Sequence, residues 1–415
     1  MIDLINKLKP IFHRMKFTPK DIKDIKKEVE PLFEKCGFRE EIPNNPKIAI
    51  FMINGIGDAI CASEAIIRIK EKYPESEITL FSPKVIKELY FACPLIDHYE
   101  EFNKSDYISE DLYNFFKLAF QNHYNIGYIL SIEPYLYKLL YIAGINKIYG
   151  LKIDQSHPHM YWEPYQVQIP YQNLITKTYP VIKGLTFGEQ LANMVIEKNN
   201  KFNLSLWITP NSLKKVEKYE ESDNNIAIVI SSNIKRKKYP YYNQVLNMFY
   251  EMNPNLKFFI FGGKQELEDE VFKNLLECKN VISLVGELSI HESIAMLSKC
   301  KYYIGNDTWL SHAAGALSMP SVVLMPYPAN KKFHKYAPPI WMHPLNSPSV
   351  IVLPKTAGSS ECMEENFYLG CCSGLTNYED NICCIKNIKP ETVIEAFKYL
   401  QTISSGVYYY PKITI

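Results

Sequence analysis

The chain of 415 residues has almost no net charge: Lys and Arg total 46 against 45 Asp and Glu, a formal balance of +1. No broad cationic field is available to hold a polyanion such as a nucleic acid. It also lacks any uninterrupted apolar run near the ~20 residues a membrane span needs. Met1 to Lys35 is charged throughout and has no apolar stretch of the kind that marks a secretory leader. These absences lead us to expect a cytoplasmic protein. In that compartment the ten cysteines need not form disulfides. No internal repeat is visible. No dinucleotide fingerprint is complete either, because Ile60 stands at the third glycine position after Asn54-Gly55-Ile56-Gly57, and no Gly-Lys-Ser/Thr follows to make a phosphate loop. Apolar content of 47% with 22% charged residues is that of a globular chain, long enough for two or three domains.

What is present is a β/α alternation in two series. Residues 1–45 read as a helical prefix in which Ile2, Leu4, Ile5, Leu8 and Ile11 form a rough apolar face beside Lys7, Lys9, Arg14 and Lys16. Such a helix packs on the body of the protein or rests peripherally on the inner face of an anionic membrane, and the first reading is preferred. Ile48 to Ile53 is a continuous apolar strand, as expected where both sheet faces are covered. A helix from Ala59 to Lys72, a strand from Glu77 to Phe81, a strand from Tyr128 to Ser131 and the apolar run Tyr135 to Ala143 follow. Ser156 to Thr186 reads as a long loop. A second series begins at Ile226 to Ile230 and runs through Val322 to Met325, with a last helix at Pro390 to Gln401. The domains expected are 46–205 and 225–350, both Rossmann-like with parallel sheets, joined by a linker at 206–224. A cysteine-rich loop and closing helix would fill 351–415.

The chemistry-bearing residues fall at the carboxyl ends of expected strands, where open α/β sheets bind ligands. Gly305-Asn306-Asp307-Thr308-Trp309-Leu310-Ser311-His312 joins a strand to an Ala-rich helix. Free N–H groups and the positive end of the helix dipole gather at such a turn and suit a phosphate. The competing role is ordinary capping by Asp307 or Thr308. Gly55 and Gly57 permit a tight turn and close approach of a ligand. Asp58, at the mouth of the first sheet, could take a proton from an attacking hydroxyl or cap the next helix. Ser231-Ser232 with Lys235-Arg236-Lys237-Lys238 forms a candidate diphosphate clamp, or a solvated basic loop. Glu266, after Gly262-Gly263, would accept ribose hydroxyls or start a helix. Cys362, Cys371, Cys372, Cys383 and Cys384 crowd one segment. Four thiolates suit a tetrahedral structural zinc or iron, although the absence of a Cys-x2-Cys knuckle favours buried or partly oxidised thiols.

On these segments the chain resembles glycosyltransferase family 9, the ADP-heptose:lipopolysaccharide heptosyltransferases. The likeness rests on Asn54-Gly-Ile-Gly-Asp58, Tyr73-Pro74, Tyr124-Asn125-Ile126, Ile148-Tyr149-Gly150, Lys237-Lys238-Tyr239-Pro240, Gly305-Asn-Asp-Thr308 with His312-Ala-Ala314, and Pro320-Ser-Val-Val323. It covers about residues 46–400. The resemblance implies a GT-B fold, two facing Rossmann-like domains with an inter-domain cleft. It implies an inverting, metal-independent transfer from a nucleotide sugar, ADP-heptose above all, to a lipopolysaccharide core or other lipid-linked or surface glycan. By the same resemblance Asp58 is the base, Ser232 and Lys237 hold the diphosphate, Glu266 the ribose and Leu288 the adenine. Asp307, Thr308, Trp309 and Leu310 hold phosphate and sugar, with His312 beside them. Trp309 departs from the glycine usual in the family at that point and puts the sugar pocket in question. Two alternatives stand beside this reading. One is a protein O-heptosyltransferase, with His157, His159, Tyr161 and Trp162 as sugar-stacking candidates; the other is a non-catalytic nucleotide-sugar-binding protein of the same fold.

Overall fold

Parallel strands buried on both faces need crossover helices on both faces, and that requirement shapes the whole chain. The computed structural model describes residues 7, 27–28, 31–32, 41–103, 110–133, 135–145, 147–152, 177–182, 185–198, 202–230, 232, 237–327, 329, 338–356 and 384–411. The chain divides into two units, Met1–Lys183 with Phe187–Lys201, and Gly184–Thr186 with Phe202–Ile415.

In the first unit the strands are β1 (Lys47–Phe51), β2 (Glu77–Ser82), β3 (His98–Glu101), β4 (Ile126–Ile129), β5 (Lys147–Lys152) and β6 (Lys177–Pro180). They form one parallel sheet in the order β3-β2-β1-β4-β5-β6, so the order reverses between β1 and β4. Its core is aromatic: Phe51 stacks on Phe81 at 4.8 Å, and Phe102 and Phe115 meet Phe51 edge-on at 5.3 and 5.2 Å. Each buried Phe contributes about 2–3 kcal/mol by area alone. On the other side of the sheet, helix Ser63–Lys72 packs against helix Phe187–Val195. Arg68 fastens them from a nearly dry site. Its Nε donates to Glu64 at 2.9 Å, and its Nη1 donates to Asn193 Oδ1 at 2.9 Å and to the Ile196 carbonyl at 2.7 Å. Leu32, in the N-terminal prefix, packs against the aromatic core; the apolar face of Ile2, Leu4, Ile5, Leu8 and Ile11 lies outside the described residues.

The second unit contains β7 (Ser222–Val229), β8 (Lys257–Phe261), β9 (Val281–Ser283), β10 (Cys300–Asn306), β11 (Ser321–Leu324), β12 (Ser349–Val352) and β13 (Val407–Tyr410). All run parallel, in the order β13-β12-β11-β10-β7-β8-β9, with the reversal between β7 and β10. Helices Tyr242–Met252 and Pro390–Leu400 cover one face, and Phe249 meets Phe397 edge-on at 4.9 Å. Gly305 is required where β10 crosses closest to β7, because a Cβ there would lie 2.8 Å from the Val229 carbonyl oxygen.

Several elements differ from the sequence expectation. The helix after β1 starts at Ile56 rather than Ala59 and breaks at Ala62, giving Ile56–Cys61 and Ser63–Lys72. The expected helix at Glu266 is a 3-10 turn, Lys264–Glu266, followed by a short helix Glu270–Leu275 that Asp269 caps. The stretch assigned to a loop contains β6. Helix Pro390–Leu400 is not the last element, since β13 follows it and forms the sheet edge. Among the described residues no helix is long and apolar enough to cross a membrane.

Candidate functional site

In both sheets the order reverses next to the first strand of the unit, and loops diverging from such a point leave a crevice for a ligand. In the second unit the two strand ends there are Val229, leading to Ile230 and Ser232, and Asn306, leading to Asp307 and Thr308. Thr308 is the N-cap of helix Trp309–Ala316, with extended backbone, yet its side chain caps no helix N–H. Its buried Oγ1 finds no hydrogen-bond partner. Asp307 does not cap either: its Oδ2 takes the Lys237 ammonium at 2.6 Å. Ordinary capping by Asp307 or Thr308 is thereby set aside. Among the described residues no side chain takes a first-turn N–H: the Ser311 N–H donates to the Thr308 carbonyl at 3.0 Å, those of Trp309 and Leu310 stay open, and a cation is held one residue before the helix. Gly315 seats this helix, since a Cβ there would lie 2.5 Å from the Leu345 carbonyl oxygen.

The basic segment is anchored from within. Tyr239 is 1% exposed and meets Tyr242 edge-on at 5.2 Å, fixing the backbone from which Lys237 and Lys238 project. Both lysines are half-buried and reach different acids, which a solvated loop would not show. Lys238 Nζ lies 2.7 Å from Asp269 Oδ2 and 4.0 Å from Glu266 Oε1. Glu266 Oε2 accepts the Gly263 N–H at 2.7 Å, whereas the buried Oε1 has no hydrogen-bond partner. Desolvation raises the Glu266 pKa, against lowering by the Gly263 bond and Lys238. Leu288, half-buried, follows β9 beside the Gly286 turn, whose N–H donates to the Gly262 carbonyl at 3.0 Å. Ser232 is buried just past β7; Trp309 is half-buried at the first helical position, and Leu310 is buried behind it.

His312 is 3% exposed. Burial lowers its pKa from 6.5 to about 4, with Asp307 opposing and Lys237 and His343 adding to the fall. It is a neutral imidazole at pH 7. The sign of its linkage follows: between pH 6.5 and about 4 the unfolded chain binds a proton that the folded chain refuses. Stability from this group is full above the unfolded value and declines as pH falls, by about 3 kcal/mol at most. Urea midpoints measured from pH 4 to 7 should slope downward toward acid in the wild type and less steeply in His312→Asn. Equal slopes would remove His312 as the cause.

In the first unit the analogous loop leaves β1. Asp58 is the third residue of helix Ile56–Cys61, half-exposed, and its Oδ2 accepts the Gly55 N–H at 3.0 Å. Ser131, just after β4, takes the Ile53 N–H at 2.8 Å and so ties the two strand ends together. Thus Lys237, Asp307 and His312 gather at one switch point with Thr308, and Lys238 and Glu266 beside β8, while Asp58, Gly55 and Gly57 occupy the switch point of the other unit. Three residues went unassigned from sequence: Asn306, Tyr242 and Asp269. Asn306 stood inside the quoted motif, but nothing in its spacing distinguishes a strand-end amide from a ligand. Of the cysteine cluster, Cys362, Cys371, Cys372 and Cys383 lie outside the described residues, and Cys384 is buried in a short 3-10 helix. Among the described residues no group of three or more His, Cys, Asp or Glu could hold a metal ion. His157, His159, Tyr161 and Trp162 also lie outside the described residues.

Comparison with known proteins bears on the family and the fold. The model of glycosyltransferase family 9 (heptosyltransferase) matches residues 139–366, a stretch that holds every site residue of the second unit and omits Asp58. Lipopolysaccharide heptosyltransferase 1 of Campylobacter coli is 24% identical over 293 residues, 67% of this chain and 83% of the relative. The family 9 glycosyltransferase of Veillonella parvula has a similar fold, with a TM-score of 0.64 at 16% identity over 87% of this chain and 99% of that one. The E. coli heptosyltransferase WaaC, solved with ADP, gives a TM-score of 0.59 at 10% identity over 85% and 99% of the two chains. With two parallel sheets in a GT-B fold, the family model's match over more than half of the chain establishes that the chain belongs to glycosyltransferase family 9.

Proposed function

We propose that the protein transfers a heptosyl residue from ADP-heptose to a hydroxyl of a lipopolysaccharide core or another surface glycan, with inversion and without a metal. The observation that carries the donor half is the open N-terminus of helix Trp309–Ala316 with Lys237 held beside it. That pairing offers a diphosphate both backbone donors and a cation. Glu266 Oε1, buried with the Lys238 ammonium 4.0 Å away, is an acceptor suited to hydroxyl donors of the kind a ribose supplies. The adenine nucleotide and the heptose are supported by relatives: one is a lipopolysaccharide heptosyltransferase and another was solved with ADP.

In the proposed step the acceptor oxygen gives its proton to Asp58 and forms a bond to the anomeric carbon. The bond from that carbon to the diphosphate oxygen breaks on the opposite face. The charge gathering on the departing ADP is met by Lys237 and the helix N–H groups. On this reading the first unit serves the acceptor and the second the donor.

Calorimetry with ADP, UDP, GDP and CMP tests the donor assignment. ADP should bind most tightly. Preference for UDP or GDP would discard ADP-heptose as donor, and binding of none would discard the phosphate site at Thr308.

A further inference from the structure

We propose that Asn306 and Tyr242 are positioning residues that set the two halves of the diphosphate site against each other. The inference rests on the donor reading given above. Asn306 is the last residue of β10 and is wholly buried. Its Nδ2 donates to the Ile230 carbonyl at 2.9 Å, just past the end of β7. Its Oδ1 accepts the Tyr242 hydroxyl at 2.9 Å, and its own carbonyl accepts the Tyr303 hydroxyl at 2.7 Å. Tyr242 opens the helix that covers this face of the sheet, and its hydroxyl also lies 3.3 Å from the Val229 carbonyl. One amide therefore joins the strand end that leads to Ser232 with the strand end that leads to Asp307 and Thr308.

Only one orientation of the amide works. Turned over, it would set its oxygen against the Ile230 carbonyl, two acceptors with no proton between them. The Ile230 carbonyl, which can only accept, thus fixes the amide, and the Tyr242 hydroxyl donates to the oxygen that remains. The bracket lies one residue past the last β7–β10 register pair, Gly305 with Val229. Buried polar groups that are fully paired fix a geometry more strictly than apolar packing does. What they fix here is the separation between Ser232 and the helix N-terminus at Thr308. Asn306 and Tyr242 are both wholly buried, so they would act on a ligand through these strand ends.

The test is Tyr242→Phe, which removes one oxygen and leaves the ring in place. Displacement of a fluorescent ADP analogue by ADP and by adenosine is measured for wild type and variant. ADP should weaken about tenfold, as expected when a buried acceptor loses its donor and the phosphate groups shift. Adenosine, which meets neither strand end through a phosphate, should be unchanged. A general loosening of the fold would weaken both, and that result overturns the proposal, as does an unchanged ADP affinity. Asn306→Leu alone and with Tyr242→Phe completes a cycle: the Tyr242→Phe loss should vanish once Asn306 is gone. Full additivity would show that the two residues do not act through their shared bond. If the wild-type protein binds no ADP, the donor reading itself fails, an outcome distinct from equal binding by wild type and variant.

Discussion

Asp58→Asn is expected to lower turnover by about 10²–10⁴-fold while leaving the affinity for the sugar donor within about twofold. Asparagine keeps an oxygen able to accept the Gly55 N–H, so the turn that starts helix Ile56–Cys61 survives and only the basic charge is lost. Asp58→Ala should show the same loss of turnover and an added stability cost of about 1 kcal/mol from the missing cap. The two substitutions therefore separate the proton-accepting role from the capping role. On the proposed mechanism one carboxylate does both, its Oδ2 accepting the Gly55 N–H while its charge serves the base. Asp58 lies outside the stretch matched by the family model. Steady-state kinetics at saturating donor, with donor affinity measured separately, checks it. Turnover within tenfold of wild type in Asp58→Asn would end the assignment as base; joint loss of donor affinity would make Asp58 a binding residue instead.

The proposed donor site was legible in the sequence where chemistry and backbone shape coincide. Gly305 to His312 could be read because a strand of apolar residues gives way to polar ones and then to an Ala-rich helix. The pairing within it could not. Lys237 and Asp307 stand 70 residues apart, and only the order β10-β7 brings them together. The same holds for Asn306 and Tyr242, which are 64 residues apart. Two of the missed strands share a different cause. His98–Glu101 is a four-residue edge strand with no buried position, so it carries no apolar signature. Lys177–Pro180 is another edge strand, equally short and ending in proline, which an edge tolerates. The helix after β1 was placed three residues late because Gly57 looked like part of a loop, although a first-turn glycine costs a helix little when Asp58 caps the same turn.

Lys237→Ala is expected to weaken ADP by about 100-fold, and the reason lies in what it leaves behind. Lys237 and Asp307 form a pair whose side chains are 17% and 5% exposed. Removing one partner of such a pair strands the other, and measured costs run to about 3–5 kcal/mol. Here the stranded group is an anion at the mouth of an anion site. Asp307 would then repel the diphosphate that Lys237 had attracted, so two losses of the same sign add. Asp307→Asn should move the other way or hardly at all: it frees the ammonium for phosphate and removes the competing charge. The double substitution decides between two roles for the lysine. If Lys237 serves only to neutralise Asp307, then Lys237→Ala with Asp307→Asn should recover wild-type affinity. If Lys237 meets the phosphates itself, the double variant stays at least tenfold weak. The expectation here is the second outcome, because the ammonium lies within reach of both the Asp307 carboxylate and its carbonyl oxygen, one residue before the helix whose N–H groups are open. Lys237→Arg should keep most of the affinity, since a guanidinium preserves the charge and can still bridge carboxylate and phosphate.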